Sequence, residues 1–168
     1  YCDPECTLLR QVAAELYGVQ PENVLPVNGS DEALYFTFLA FGDKDHPFAY
    51  PEISYGFYPV FSRLTHVPAR EIPLKSDFSV DVRDYLNIAE HIVLANPNAP
   101  TGVCLSAGEI EQLVRVNPGR LVVIDEAYID FGGESCVPLV NRYDNLLVIQ
   151  TFSKSRSLAG ARLGFAVG

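Results

Sequence analysis

Three stretches of this chain are short runs dominated by Ile, Val and Leu, and each gives way to polar residues: His91-Ile-Val-Leu-Ala95, Leu121-Val-Val-Ile-Asp125 and Asn145-Leu-Leu-Val-Ile-Gln150. Runs this short suit strands rather than helices, and a strand that is apolar on both faces must be covered on both. Between the first two runs, Ser106 followed by Glu109 is the capping-box signature of a helix, here running through Val116. Such strands alternating with helices predict the α/β class, a three-layer α/β/α fold around a mostly parallel sheet of about seven strands. The last strand, Leu163 to Val167, is expected to run antiparallel. Only 12 residues, Gly160 among them, separate it from Gln150, barely enough for a right-handed helical crossover.

The first half is consistent with this. Asp3-Pro4 predicts the N-cap and first-turn proline of a helix whose Leu8, Leu9, Val12, Ala13 and Leu16 repeat at helical spacing as far as Gly18. Val24 to Val27 predicts a strand, Asn28-Gly29-Ser30 a turn, and Asp31 to Ala40 a helix. Phe48 to Tyr50 and Arg70 to Leu74 predict strands on either side of a helix over Tyr55 to Arg63. No linker, low-complexity segment or repeat divides residues 1–168, so one domain is expected. The chain starts at Tyr1, has no Met and ends on Val167-Gly168 straight after an apolar run; we expect a piece of a longer protein.

Composition excludes several functions. A net charge of −9 argues against a sequence-independent nucleic-acid binder, which neutralises phosphates with many Lys and Arg. No apolar run reaches the roughly 18 residues of a membrane helix, and the N-terminus lacks the basic-then-apolar order of a signal peptide, so a cytoplasmic protein is expected. Cys2, Cys6, Cys104 and Cys136 show no paired metal spacing, and His46, His66 and His91 are scattered without a ligand pattern. We therefore expect no metal, with the thiols buried or incidental and the histidines structural or superficial.

Ligands of open α/β sheets bind outside the carboxyl ends of the strands. Four unusual polar stretches each follow an apolar strand: Asn28-Gly29-Ser30-Asp31, Asn96-Pro-Asn-Ala-Pro-Thr-Gly102, Asp125-Glu-Ala-Tyr128 and Thr151-Phe-Ser-Lys154. If the strands are parallel, all four meet at one crevice. Gly29-Ser30-Asp31 opens a helix and so offers free N–H groups and a dipole end to a phosphate, though a plain capped turn reads the same way. Asn96 to Gly102 is equally a rigid turn. Asp125 ends a strongly apolar strand, where a carboxylate is costly without a cationic partner such as a protonated ring nitrogen; a structural helix cap is the alternative. Glu126 beside it reads as a structural or surface carboxylate, and Tyr128 either bonds a cofactor or packs. Lys154, after the last long strand, becomes a nucleophile toward aldehydes if burial strips its proton, and is otherwise an exposed loop lysine.

In this order, these stretches resemble the fold-type I pyridoxal-phosphate enzymes, and most closely the histidinol-phosphate aminotransferases. The resemblance covers essentially the whole chain and rests on five segments: Tyr1-Cys-Asp-Pro-Glu-Cys6, Tyr50-Pro-Glu-Ile-Ser-Tyr-Gly56, Asn96 to Gly102, Val123 to Phe131 and Thr151 to Gly164. It implies that pyridoxal 5'-phosphate is held covalently by Lys154, that Asp125 pairs with the pyridine nitrogen, that Tyr128 bonds the phenolic oxygen and that Tyr55 stacks on the ring. It implies phosphate contacts from Gly29, Ser30, Asp31, Thr151, Ser153 and Arg162, the last eight residues after the lysine. Tyr1 resembles a tyrosine that reaches the phosphate of the neighbouring subunit, so a homodimer is implied. One departure stands out: the usual asparagine before Pro-Thr-Gly is Ala99 here, with Asn98 just before it, and Asn98 is expected to take over by a small backbone shift. The implied partners are a small-molecule amino donor and a keto-acid acceptor, L-histidinol phosphate and 2-oxoglutarate. The N-terminal arm and C-terminal small domain of that family have no counterpart here. Other class I/II aminotransferases and threonine-phosphate decarboxylases share these motifs. A pyridoxal-phosphate-sensing regulatory module is a reading of a different class, although nothing basic accompanies it here.

Overall fold

Alternate residues of the central strands divide between two cores, as strands apolar on both faces require. Ile92 and Leu94 meet Val122 and Ile124 in one core, while Val93 and Ala95 meet Val123 in the other. Each fully buried Ile, Leu or Val contributes about 1.5–3 kcal/mol relative to exposure, so these strands anchor the domain. The computed structural model describes residues Tyr1–Gly168. It contains β1 (Val24–Val27), β2 (Phe48–Pro51), β3 (Ala69–Ile72), β4 (His91–Ala95), β5 (Val122–Asp125), β6 (Leu146–Thr151) and β7 (Gly164–Val167). They form one seven-stranded sheet in the order β1-β7-β6-β5-β4-β2-β3. β7 runs antiparallel to both its neighbours and all other pairs are parallel, so the fold class and the direction of the last strand agree with the sequence.

Helices α1 (Thr7–Tyr17) and α4 (Ala107–Val116) cover one face, and α2 (Ser30–Phe41) and α3 (Tyr58–Thr65) the other. The α4 start follows the prediction: Ser106 Oγ accepts the Glu109 N–H, and the Glu109 carboxylate accepts the Ser106 N–H at 2.8 Å. No helix is long and apolar enough to cross a membrane.

Two expectations need correction. Asp3 is not the N-cap of α1 and Pro4 is not in its first turn: the helix begins at Thr7 with Cys6, at φ 48°, in the cap position, and the Asp3 carboxylate accepts the Thr7 N–H at 2.7 Å from outside the helix. Of the predicted stripe, Leu9 and Ala13 do face the core beside Ala14, whereas Leu8, Val12 and Leu16 are 74%, 55% and 72% exposed; helical spacing located the helix but only part of its buried side. Between β5 and β6 the chain uses short 3-10 turns, Ile129–Phe131 and Val137–Asn141, instead of an α-helix. Gly132 and Gly133, at φ 147° and 127°, and the proline in the second turn break any longer helix. His91 is structural, as expected: Nδ1 accepts the Leu121 N–H at 2.9 Å, and Nε2 lies 3.1 Å from the Phe41 carbonyl. All four thiols are free, with Cys136 alone buried.

The topology brings the four polar stretches to one edge. Register sets Asp125 between Ala95 and Ile149, and Gly164 opposite both Val27 and Thr151. Gly164 has to be glycine: a Cβ there would lie 2.8 Å from the Gln150 carbonyl and 3.0 Å from the Ser30 nitrogen. The start of α2 is thereby packed directly against the start of β7, beside the end of β6.

Candidate active site

Alternation along β5 gives its two terminal carboxylates different fates. Asp125 follows Val123 onto the face covered by α2 and α3, where Oδ2 accepts the Tyr58 hydroxyl at 3.0 Å and Oδ1 the Ala127 N–H at 3.1 Å. Glu126 turns to the opposite layer and accepts from Cys136 N–H, Ser135 Oγ and Gln150 Nε2 at 2.6–2.8 Å. Glu126 is thus a buried structural acid, as the sequence suggested.

Asp125 is only 4% exposed and forms no ion pair within the chain. Burial raises its pKa to about 6, opposed by the Tyr58 and Ala127 donors and by the Lys154 charge. A buried acid with satisfied donors and no cation is suited to a cationic ring nitrogen brought in by a ligand. Tyr58 was missed in the sequence: the segment reads as a helix, but nothing local says that its hydroxyl reaches 67 residues along the chain.

A cavity of about 240 Å³ opens above Asp125. Lys154, Tyr128 and Tyr55 line it, and Ser30, Asp31, Thr151, Ser153 and Arg162 close one end. Lys154 is exposed rather than buried, the second of the two placements the sequence left open: β6 stops at Thr151, and the loop carries the lysine beyond the apolar layer. Its Nζ sits 5.3 Å from the centre of the Tyr128 ring. It is one of three lysines, with Lys44 and Lys75, and the only one on the cavity. Tyr55 donates its hydroxyl to Asp31 at 2.8 Å, and burial followed by that bond drives its pKa well upward. The ring is held and the phenol kept neutral.

The closed end is built for an anion. The Ser30 and Asp31 N–H groups at the start of α2 precede any intrahelical acceptor and point outward with the positive end of the dipole, whereas the Glu32 N–H bonds the Gly29 carbonyl at 3.3 Å. The Glu32 carboxylate reaches back to the Asn28 N–H at 2.7 Å and fixes the turn. Thr151 Oγ1 and Ser153 Oγ lie 3.1 Å apart, and Arg162 Nη1 lies 3.5 Å from Ser153 Oγ. Gly29, at φ 79°, leaves room for the guanidinium, since a Cβ would come within 2.4 Å of Arg162 Nη2. Gly29→Ala is therefore expected to displace Arg162 and weaken inorganic phosphate binding by about tenfold or more, the worth of one charge-assisted hydrogen bond. Titration calorimetry on the full-length protein checks this, and unchanged affinity would detach Arg162 from the anion site.

Three predicted residues are not on the cavity wall: Gly29, which sits behind Arg162, Asn98 and Tyr1. Ala99, not Asn98, lines the cavity. The Asn98 amide donates to the Ile53 carbonyl at 2.9 Å and Thr101 Oγ1 at 3.1 Å, and its Oδ1 accepts from Ser54 at 2.7 Å. With its whole amide committed, Asn98 does not substitute for a residue at position 99. Tyr1 is fully exposed and absent from the cavity lining.

A seven-stranded sheet with one antiparallel strand, and a lysine and a buried aspartate over its carboxyl edge, define the class. The chain belongs to the aminotransferase class I and II family, whose model matches residues 1–168. It is 52% identical, over 99% of its length, to the histidinol-phosphate aminotransferase of Acinetobacter baumannii, and 49% identical to that of Lactococcus lactis subsp. cremoris. The chain spans about half the length of these curated relatives, 46% and 47%. Among solved structures it is similar to the histidinol-phosphate aminotransferase of Sinorhizobium meliloti in complex with pyridoxal-5'-phosphate, with TM-score 0.90 and 25% identity over all of this chain and 48% of that one. It is also similar to the L-threonine-O-3-phosphate decarboxylase of Porphyromonas gingivalis, with TM-score 0.86 and 26% identity over all of this chain and 51% of that one.

Proposed function

We propose that the protein containing this chain is a pyridoxal 5'-phosphate-dependent histidinol-phosphate aminotransferase of histidine biosynthesis. It would pass the amino group of L-histidinol phosphate to 2-oxoglutarate, giving imidazole acetol phosphate and glutamate. One observation carries the reading: Lys154 and Asp125 line a single cavity whose closed end is Arg162, Ser153 and the start of α2. The identity of 52% to the Acinetobacter enzyme supports this substrate over others handled by the same fold.

When bound, the pyridine ring supplies a sink for the electron pair left as the substrate loses its α-proton. In this reading Asp125 keeps the ring nitrogen protonated, since a cation beside a buried carboxylate draws it back to the ionised form. Lys154 would hold the cofactor through its amine and, as general acid and base, would take the substrate's α-proton and pass it to the cofactor's exocyclic carbon. Tyr128 would donate to the phenolic oxygen, without help from Asn98, whose amide is engaged elsewhere, and Tyr55 would lie against the ring. Gly29, Ser30, Asp31, Thr151, Ser153 and Arg162 hold the phosphate, Asp31 through its backbone because its carboxylate serves Tyr55. Residues 1–168 form the cofactor-binding large domain. The protein works in the cytoplasm as a homodimer, with Tyr1 reaching the neighbouring subunit's phosphate.

Assaying the full-length protein with a panel of amino donors tests the substrate. Histidinol phosphate is expected to give a kcat/KM at least about 100-fold above phenylalanine, because a site that binds a phosphate loses several kcal/mol when it is absent. A preference for aromatic or aliphatic amino acids would overturn the substrate. Release of carbon dioxide from threonine phosphate would favour the decarboxylase reading, and binding without turnover the regulatory one.

A further inference from the structure

The residues just after Lys154 are tied to the residues just after Tyr128. Asp130, two positions beyond Tyr128, accepts from Arg156 Nε at 3.0 Å and Arg156 Nη2 at 3.3 Å, and also from the Ser155 hydroxyl. Arg156 extends the tie inward. Its Nη2 donates to Gln150 Oε1 at 2.9 Å, its Nη1 lies 3.3 Å from the Tyr17 hydroxyl of α1, and its guanidinium lies 4.7 Å from the centre of the Phe152 ring. Gln150 is buried and passes the network on to Glu126 at 2.8 Å. The Lys154 loop itself is a tight turn, closed by Ser157 N–H to the Lys154 carbonyl and Leu158 N–H to the Phe152 carbonyl.

We infer that the Asp130–Arg156 pair, with Ser155, is a positioning latch that sets Lys154 against Tyr128 across the cavity. The inference rests on the function proposed above. Neither Asp130 nor Arg156 lines the cavity, so they act through the backbone of their neighbours. Lys154 is exposed and lies on a loop beyond β6, and no apolar packing of its own holds the loop on the lysine's C-terminal side. The tie supplies that restraint. A planar fork on a carboxylate fixes direction as well as distance, which a lone ammonium would not. The buried Gln150–Glu126 end keeps the fork from swinging into solvent. An isolated surface ion pair is worth little, but this one joins the two segments whose side chains must meet on the same ligand. There, a misplacement of the order of 1 Å costs up to about 100-fold.

The test uses the full-length protein stripped of cofactor and the rate at which added pyridoxal phosphate becomes borohydride-reducibly attached at Lys154, followed by peptide mapping. Asp130→Asn and Arg156→Met are each expected to slow attachment about 10- to 100-fold. The double variant should be no slower than the slower single one, because both cut the same tie. Arg156→Lys keeps the charge and loses the fork, and should rescue little; Asp130→Glu keeps the carboxylate and should rescue most of the rate. Ser155→Ala, which removes a single hydroxyl, is expected to slow attachment several-fold, so the test survives if a larger change prevents folding. Inorganic phosphate affinity should stay within twofold of wild type throughout, separating lysine placement from a general loosening of the site. Attachment rates within twofold of wild type in the single variants, or slowing that tracks only the melting temperature and the phosphate affinity, would overturn the latch while leaving the proposed function standing. Wild-type protein that never attaches the cofactor at Lys154 would remove both.

Discussion

Replacing Lys154 with alanine is expected to erase the visible absorption of the cofactor-loaded protein and to cut transamination by at least about 1,000-fold, since one side chain serves as tether, acid and base. The fold should be indifferent. Lys154 is exposed and forms no ion pair, and the core of β5 and β6 lies behind it, so surface-type losses within about 0.5 kcal/mol are expected. Absorption spectra and calorimetric melting of the same full-length preparations check both halves. A variant that keeps the spectrum would place the tether at a lysine other than Lys154 and overturn the assignment; within this chain Lys44 and Lys75 do not border the cavity.

Asp125→Asn is expected to lower activity and raise stability together. Removing a preorganised buried charge from the ring nitrogen costs on the order of 100- to 1,000-fold in turnover. Stability moves the other way in the cofactor-free protein. The carboxyl group has an ordinary value of 3.8 and about 6 in the fold, raised chiefly by burial. Between those values the folded chain binds more protons than the unfolded one, so stability falls as pH rises through that window. Above it, ionised Asp125 destabilises the fold by up to about 3 kcal/mol. Asparagine lacks this liability and can still accept the Ala127 N–H. The variant should match wild type below about pH 4 and exceed it at pH 8, as read by denaturant melts at both values. A variant less stable than wild type at pH 8 would show that the site does not strain against its own charge.

The sheet and the crevice were legible because each follows from local pattern plus one topological rule. Val122, Val123 and Ile124 are apolar in succession, which admits a doubly covered strand and little else, and the short link before Leu163 left an antiparallel return as the economical path. With β1, β4, β5 and β6 parallel, convergence of Gly29, Ala99, Asp125 and Lys154 follows without any knowledge of family. The rest depends on long-range geometry. Tyr58 and Asp125 are neighbours only because α3 packs on the face that Val123 looks toward, and Asp130 meets Arg156 only because both loops cross the same edge. Leu8, Val12 and Leu16 share a helical stripe, yet α1 approaches the sheet through Ala13 and Ala14, where small side chains permit close contact. Asn98 shows the same limit at one residue: it lies one position from the usual ligand and was expected to shift into its place, but Ser54, Ile53 and Thr101 engage its amide instead.

The most direct measurement is to incubate the full-length protein with pyridoxal phosphate, reduce with borohydride and sequence the labelled peptides by mass spectrometry. Within this chain the label should fall on Lys154 and be lost or sharply slowed in Asp125→Asn. Label on Lys44 or Lys75 with Lys154 untouched, or labelling of Lys154 that ignores the acid across the cavity, would contradict the pairing of that amine with that carboxylate.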